Sequence, residues 1–156
     1  MNRNEGAMST VDPTPFPSFE TTLLSADATD AFAARFAKAL AAGDRLLLRG
    51  DLGAGKTTFV RGLVRGLDAP SVDEVASPTF ALHHRYPGGR LVVDHCDLYR
   101  LPPGVDLAVE GLDDVLDDRT NVLCVEWPER LALPPRGLAF ELELRHAGES
   151  TRRARL

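Results

Sequence analysis

The fold is decided by one run of eight residues, Gly50-Asp51-Leu52-Gly53-Ala54-Gly55-Lys56-Thr57. This run matches the pattern G-x-x-x-x-G-K-[ST] at every position. It lies between a leucine-rich run, typical of a buried strand, and a stretch with helical periodicity. The glycines let consecutive backbone N–H groups point at phosphate oxygens, and the helix N-terminus adds a partial positive charge. The sequence therefore predicts a phosphate-binding loop within a strand–loop–helix unit.

Two side chains of this loop supply further chemistry. Lys56 offers a positive charge to the β- and γ-phosphates of a nucleotide, and Thr57 offers a hydroxyl to Mg²⁺. The alternative is a glycine-rich turn that binds nothing. The position of Lys56 argues against that alternative, because the chain contains only one other lysine, Lys38.

Length and composition indicate one globular domain. The chain has 156 residues, of which 44% are hydrophobic and 26% charged, and these shares are ordinary for globular proteins. The net charge of −5 and the pI of about 5.3 argue against a basic coat that grips nucleic acid unaided. Cys96 and Cys124 both lie in apolar runs and are predicted to be buried, reduced thiols.

The polar N-terminus, with Pro13, Pro15 and Pro17 at alternate positions, predicts a flexible extension over residues 1–18 before one P-loop domain at 19–156. Apolar runs fall far short of the roughly 18 residues that a membrane span needs. The N-terminus also lacks the apolar core of a signal peptide. We therefore expect a cytoplasmic protein without membrane contact.

Apolar strands and helical patterns alternate through the first half of the chain. This order predicts an α/β fold with a mostly parallel core sheet, and two hairpin patterns predict antiparallel additions. Strands are expected at Phe19–Leu24, Arg45–Arg49, Thr79–Tyr86, Leu91–Asp97, Val122–Glu126 and Leu138–Leu144.

Acidic residues at strand ends are the candidates for the part of the site that holds Mg²⁺ or orients water. A nucleotide hydrolase needs a carboxylate that holds Mg²⁺ or orients water, and Asp97 and Glu126 each end an apolar run. The residues alone leave open which of the two contacts the metal directly. Asp94 points to the opposite face of its strand and is expected to be a solvated carboxylate. Trp127 is either a core or surface anchor or a ligand contact.

Two further features have an open interpretation. The segment Ser77-Pro78-Thr79-Phe80 is either a plain strand start or a switch, since a threonine on a mobile segment can reach Mg²⁺ or the γ-phosphate in P-loop proteins. His95 is either a structural histidine or a site residue.

Four motifs in order resemble the TsaE (formerly YjeE) family, the small bacterial ATPases of tRNA threonylcarbamoyladenosine biosynthesis. They are the P-loop run continued to Gly62, Ser77–Phe80, His95-Cys96-Asp97-Leu98-Tyr99-Arg100-Leu101, and Glu126-Trp127-Pro128-Glu129. Such an ordered set is far more specific than a P-loop alone, and it covers about residues 19–144. The resemblance implies a three-layer α/β P-loop NTPase fold, with ATP and Mg²⁺ bound.

The resemblance also implies a role beside the TsaD–TsaB heterodimer, which transfers a threonylcarbamoyl group to N6 of an adenosine in tRNA. The family's ATPase does not transfer the group. It permits repeated turnover of the transferase complex, and tRNA is contacted mainly through the partners. We expect slow hydrolysis without them.

Site roles follow from the resemblance position by position. Thr57 and Glu126 would hold Mg²⁺, and Asp97 would support hydrolysis. Lys56 completes the implied catalytic set. Trp127 would lie beside the site, and Thr29 near the adenosine end of the nucleotide. The implied nucleotide-binding set is Gly50, Asp51, Leu52, Gly53, Ala54, Gly55, Lys56, Thr57, Thr58, Thr29 and Trp127.

Two other functions remain open from the residues. A small-molecule kinase needs an acceptor pocket and usually a lid with arginines, whereas the spare segment 102–119 carries six carboxylates and one arginine. Like-charge repulsion makes it a poor lid over phosphates, although it suits a basic protein partner. A nucleotide sensor without catalysis is the other candidate. The Arg-rich end, Arg152–Arg155, is expected to be a solvated strand edge or tail; contact with tRNA phosphates is the alternative.

Overall fold

The computed structural model describes residues 18–133, 135 and 139–156. The predicted N-terminal extension, apart from Ser18, and Leu138 of the last predicted apolar strand lie outside the described residues. The strands are β1 Glu20–Leu23, β2 Arg45–Arg49, β3 His83–Tyr86, β4 Val93–Asp97, β5 Val122–Glu126, β6 Ala139–His146 and β7 Arg152–Arg155. The helices are α1 Ala26–Ala37, α2 Lys56–Gly66 and α3 Asp113–Asp117.

The seven strands form one mixed sheet in the order β1-β7-β6-β2-β5-β4-β3. The four central strands β6, β2, β5 and β4 run parallel to one another. The pairs β1–β7, β6–β7 and β3–β4 are antiparallel. The predicted α/β fold with a parallel core and antiparallel additions is therefore confirmed.

Both faces of the central sheet are covered. Helices α1 and α2 pack on one face, over a core that includes Leu46, Leu48 and Leu142. The other face carries Leu47, Leu123 and other apolar residues, which pack against the segment that follows β4. These two cores give the three layers that the family resemblance implies. Among the described residues, no helix is both long enough and apolar enough to cross a membrane.

Helices α1 and α2 approach each other closely. Ser25 caps α1 by accepting a hydrogen bond from the Ala28 N–H at 3.0 Å, as a serine N-cap commonly does. A Cβ at Gly62 of α2 would lie 2.3 Å from the Asp30 carbonyl oxygen of α1. The missing side chain lets the helix that carries the P-loop residues lie directly on its neighbour.

The predicted strand Thr79–Tyr86 is wrong in its first half. Only His83–Tyr86 joins the sheet. Residues 79–82 form a turn, in which the Leu82 N–H bonds to the Pro78 carbonyl at 2.6 Å and Leu82 has a φ of 64°. A non-glycine residue rarely adopts this left-handed conformation, so the alternation of residue types gave no signal for it. The turn carries Thr79 toward the end of β4, as described below.

The expectation of a solvated Asp94 is also wrong. Its side chain is 1% exposed and accepts hydrogen bonds from Arg85 at 2.8 and 3.1 Å and from Asn121 at 2.7 Å. His83 Nε2 lies 2.8 Å from the same carboxylate. The buried carboxylate is stable because these groups replace its water.

Asp94 makes the free energy of unfolding depend on acid pH. Burial raises the pKa of this carboxyl, but the hydrogen bonds from His83, Arg85 and Asn121 outweigh it and lower the pKa from 3.8 to about 2. The folded state thus binds the proton more weakly than the unfolded chain, so the stabilisation is present above pH 4 and is lost as the pH falls to 2. We expect a contribution of about 2 kcal/mol. Urea unfolding of wild type and Asp94→Asn from pH 2 to 5 should show a steeper pH slope for wild type. Equal slopes would contradict the assignment.

The Arg-rich end is not a sheet edge. β7 lies between β1 and β6, with Ala154 buried and Arg153 and Arg155 exposed. The sequence showed the alternation but not which strands would flank it. Cys96 and Cys124 are free and buried as predicted, and burial raises the pKa of the Cys96 thiol to about 12.

Candidate functional site

The predicted site residues meet at the carboxyl ends of three adjacent parallel strands. β2 leads into the loop Gly50–Gly55, β5 ends at Glu126 and β4 ends at Asp97. Glu126 pairs in register with Leu48 on one side and Asp97 on the other. The crevice outside the carboxyl ends of parallel strands is where ligands bind in open α/β sheets.

Glycine makes the loop possible at two points. Gly55 has a φ of 105° directly before α2, a conformation that L side chains rarely adopt. A Cβ at Gly50 would lie 2.4 Å from the Leu144 carbonyl oxygen, so the loop starts directly against β6. Ala54 is buried, and its N–H bonds to the Asp51 carbonyl at 3.0 Å. The loop conformation is thus held by its own hydrogen bond between Ala54 and Asp51 and by close contact with β6.

Lys56 lies folded back on its own loop. Its Nζ donates to the Gly50 carbonyl at 2.6 Å and the Asp51 carbonyl at 2.9 Å, and it lies 4.4 Å from the centre of the Trp127 ring. Burial lowers the pKa of this ammonium, while the carboxylates of Glu126 and Asp97 act in the opposite direction. The charge is therefore partly desolvated and held at the loop, which strengthens its attraction for an anion.

Glu126 joins the loop helix to the sheet. Its Oε1 accepts a hydrogen bond from the Thr57 hydroxyl at 3.0 Å and lies 2.8 Å from His95 Nε2. Glu126 is 3% exposed and His95 is fully buried. A hydroxyl and a carboxylate oxygen at this separation form a hard-oxygen pair of the kind that Mg²⁺ selects. His95, open in its interpretation from sequence, is thus in direct contact with Glu126.

Asp97 is the centre of a second group of contacts. One carboxylate oxygen, Oδ2, accepts hydrogen bonds from the Ser77 hydroxyl and, at 2.9 Å, from the Thr79 hydroxyl. The other, Oδ1, accepts the Tyr99 N–H at 2.9 Å. The segment Ser77–Phe80 is therefore tied to the end of β4 through Asp97, a contact that the sequence did not show.

Trp127 lies beside the site in a strained conformation. Its φ is 58°, which costs a non-glycine residue roughly 1–2 kcal/mol. Its N–H bonds to the Leu48 carbonyl at 3.3 Å, and its ring contacts Tyr99 at a centroid distance of 5.0 Å. The strained turn brings the indole to Lys56, and Trp127 also packs at the edge of the second apolar core.

These groups enclose an open cavity of about 330 Å³. It is lined by Leu52, Gly53, Gly55, Lys56, Thr57, Thr58, Ser77, Thr79, Asp97, Tyr99, Glu126 and Trp127. Most of the predicted binding residues are thus brought together. Gly50, Asp51 and Ala54 shape the loop behind this cavity, and the exposed Leu52 lies at its margin.

Thr29 lies at a second, smaller cavity of about 130 Å³ on the other side of the loop. Gly53, Gly55 and Thr58 line both cavities. Sequence reasoning missed Ser150 and Arg152, which complete this second cavity; Arg152 Nη2 donates to the Gly53 carbonyl at 3.1 Å. The alternation in Arg152–Arg155 indicates a strand, but only the sheet order places that strand beside the loop.

Comparison with known sequences identifies relatives. The family model for "Threonylcarbamoyl adenosine biosynthesis protein TsaE" matches residues 23–154. The chain is similar to tRNA threonylcarbamoyladenosine biosynthesis proteins TsaE from three organisms. It is 42% identical to that of Synechocystis sp., over 76% of this chain and 75% of that protein. It is 37% identical to that of Nostoc sp., over 75% of this chain and 72% of that protein. It is 34% identical to that of Aquifex aeolicus, over 88% of this chain and 94% of that protein.

The fold has a solved counterpart. The crystal structure of Bacillus subtilis YdiB superposes with a TM-score of 0.69 and 29% identity, covering 89% of this chain and 84% of that one. The P-loop and the carboxylates that end β4 and β5 lie within residues 23–154, which the family model matches. The chain therefore belongs to the TsaE family.

Proposed function

We propose that this protein is an ATP-binding and ATP-hydrolysing subunit in tRNA N6-threonylcarbamoyladenosine biosynthesis. It acts on a TsaD–TsaB transferase complex in the cytoplasm and permits repeated turnover. Family membership supports the pathway. The hydrogen bond between Thr57 and Glu126 at the mouth of the P-loop supports the nucleotide chemistry, because it joins the two oxygen ligands that a nucleotide-bound cation needs.

The loop residues would bind the phosphates. Backbone N–H groups of residues 53–58 and the N-terminal end of α2 favour negative charge. Lys56 would exchange its two carbonyl partners for phosphate oxygens, so the nucleotide replaces contacts that the loop makes with itself. The second cavity, with Thr29 and Arg152, is where the nucleoside end would lie.

Mg²⁺ fits the oxygen pair of Thr57 and Glu126, because it prefers one or two protein oxygens together with phosphate. When bound, it would neutralise charge that develops on the transferred phosphoryl group. His95 would keep the Glu126 carboxylate in place. This arrangement supports Glu126 as the carboxylate that would hold the metal, and Asp97 as the one that would orient the attacking water.

Asp97 accounts for slow hydrolysis without partners. Both of its oxygens are occupied by groups of the same chain, on one side Ser77 and Thr79 and on the other the Tyr99 N–H. A carboxylate satisfied in this way orients water poorly. A partner that moves the Ser77–Phe80 segment would release Oδ2, so that binding and catalysis are coupled.

Reconstituted tRNA modification tests the proposal. We expect a TsaD–TsaB pair, supplied with tRNA and a threonylcarbamoyl donor, to modify many tRNAs per pair when this protein and ATP are present. Without the protein, modification should stop near one tRNA per pair. tRNA should contact mainly the transferase pair. Equal yields with and without the protein would contradict the proposed function.

A further inference from the structure

Phe80 is the most exposed large apolar side chain in the part of the chain that the structure describes. It is 86% exposed and lies in the turn at residues 79–82. An isolated exposed leucine or valine is ordinary, but a whole phenyl ring on a strained turn is not required by the core.

Arg100 lies over the Phe80 ring, with its guanidinium carbon 4.4 Å from the ring centroid. Within the described residues, no carboxylate lies at ion-pair distance from Arg100, whereas Arg65, Arg85 and Arg145 each have at least one. The pair therefore presents an apolar ring and an unneutralised charge together. Aromatic and arginine side chains are the residues that most often dominate protein interfaces.

The two partners of this pair are attached to opposite sides of the Asp97 contacts. Phe80 directly follows Thr79, whose hydroxyl bonds to Asp97. Arg100 directly follows Tyr99, whose N–H bonds to the other oxygen of Asp97. A displacement of the pair thus acts, within one residue, on two of the three groups that occupy the carboxylate, the third being Ser77.

We propose that the Phe80–Arg100 pair is the surface through which a protein partner docks and activates hydrolysis. The occupant is a protein with an apolar pocket for the phenyl ring and a carboxylate at its edge for Arg100. Docking pulls Phe80 outward and withdraws Thr79 from Asp97. This inference rests on the proposed function, since it assigns the partner's contact at the same site.

Three variants test the proposal, with the TsaD–TsaB heterodimer as the protein partner. Phe80→Ala and Arg100→Ala remove the two halves of the surface, and Leu133→Ala is the control. Leu133 is 79% exposed and lies outside the acidic segment 102–119 and outside both cavities, so its removal takes away a similarly exposed apolar group elsewhere. For each variant we measure nucleotide binding and ATP hydrolysis by the protein alone. We also measure hydrolysis with the TsaD–TsaB heterodimer and the Kd for that heterodimer.

We expect Phe80→Ala and Arg100→Ala to bind nucleotide and hydrolyse it alone as wild type does. Both should raise the Kd for the TsaD–TsaB heterodimer by about tenfold or more and lose the stimulation, while Leu133→Ala keeps wild-type affinity and stimulation. Wild-type affinity and stimulation in the Phe80→Ala/Arg100→Ala double variant would overturn the inference, as would losses confined to Leu133→Ala. If the TsaD–TsaB heterodimer binds wild type through Phe80 without stimulating hydrolysis, the docking surface is confirmed and the proposed activation is wrong. If the heterodimer does not bind wild type, the docking surface and the activation are both wrong.

Discussion

Glu126→Ala is expected to lower ATP hydrolysis by roughly 10³-fold, because several kcal/mol of metal-derived stabilisation depend on this carboxylate. Its Oε1 is in contact with both Thr57 and His95, so the substitution would remove one of the two proposed Mg²⁺ ligands and release the hydroxyl of the other. The phosphate-binding loop itself is untouched, since Gly50–Gly55 and Lys56 make no hydrogen bond to Glu126 among those described. Nucleotide affinity measured in the absence of Mg²⁺ should therefore stay within about twofold of wild type.

Glu129→Ala is the matched control. Glu129 lies three residues along and pairs with Arg49 at 3.3 Å on the surface, where such a pair contributes little. Glu126→Gln separates loss of metal binding from misfolding, because an amide can still contact Thr57 while it binds a metal poorly. Full turnover in both Glu126 variants would contradict the assignment of Glu126. Nucleotide binding without any hydrolysis by wild type would instead favour a nucleotide sensor.

Lys56→Ala is expected to weaken ATP binding by about 10- to 100-fold, since a charge-assisted hydrogen bond contributes roughly 1.5–3 kcal/mol. Hydrolysis at saturating ATP should fall as well, because the same charge faces the γ-phosphate. The fold should tolerate the change. Burial already lowers the pKa of this ammonium, so the desolvation cost disappears with the charge.

The chain supplies its own control for this variant. Lys38, the other lysine, follows α1 at its C-terminal end and lies outside both cavities. Lys38→Ala should bind ATP as wild type does, as measured by titration calorimetry. Equal weakening by both substitutions would show that lysine charge in general, and not the P-loop position, governs affinity.

Local pattern was sufficient to predict the central unit. The run from Arg45 to Gly66 contains a buried strand, a loop with obligatory glycines and an amphipathic helix, and each of these is specified by neighbours within a few residues. Asp97 and Glu126 were found for the same reason, because a carboxylate that ends an apolar strand is a local signal. Their pairing side by side needed the sheet order.

Contacts between distant residues were not predictable. Asp94 is buried because Arg85 and Asn121 reach it from separate strands and loops, and nothing near it in sequence indicates this. Thr79 leaves the strand pattern because its hydroxyl binds Asp97, 18 residues away. Arg152 reaches the P-loop from 99 residues away. In each case a tertiary partner outweighs local propensity.

The measurement that tests the account most directly is ATP hydrolysis by the purified protein, alone and with a TsaD–TsaB pair from the same source. We predict a slow rate alone, because Asp97 is occupied by Ser77, Thr79 and Tyr99, and a large rise when the pair is added. Fast hydrolysis by the protein alone, or a slow rate that the pair leaves unchanged, would contradict a partner-activated ATPase.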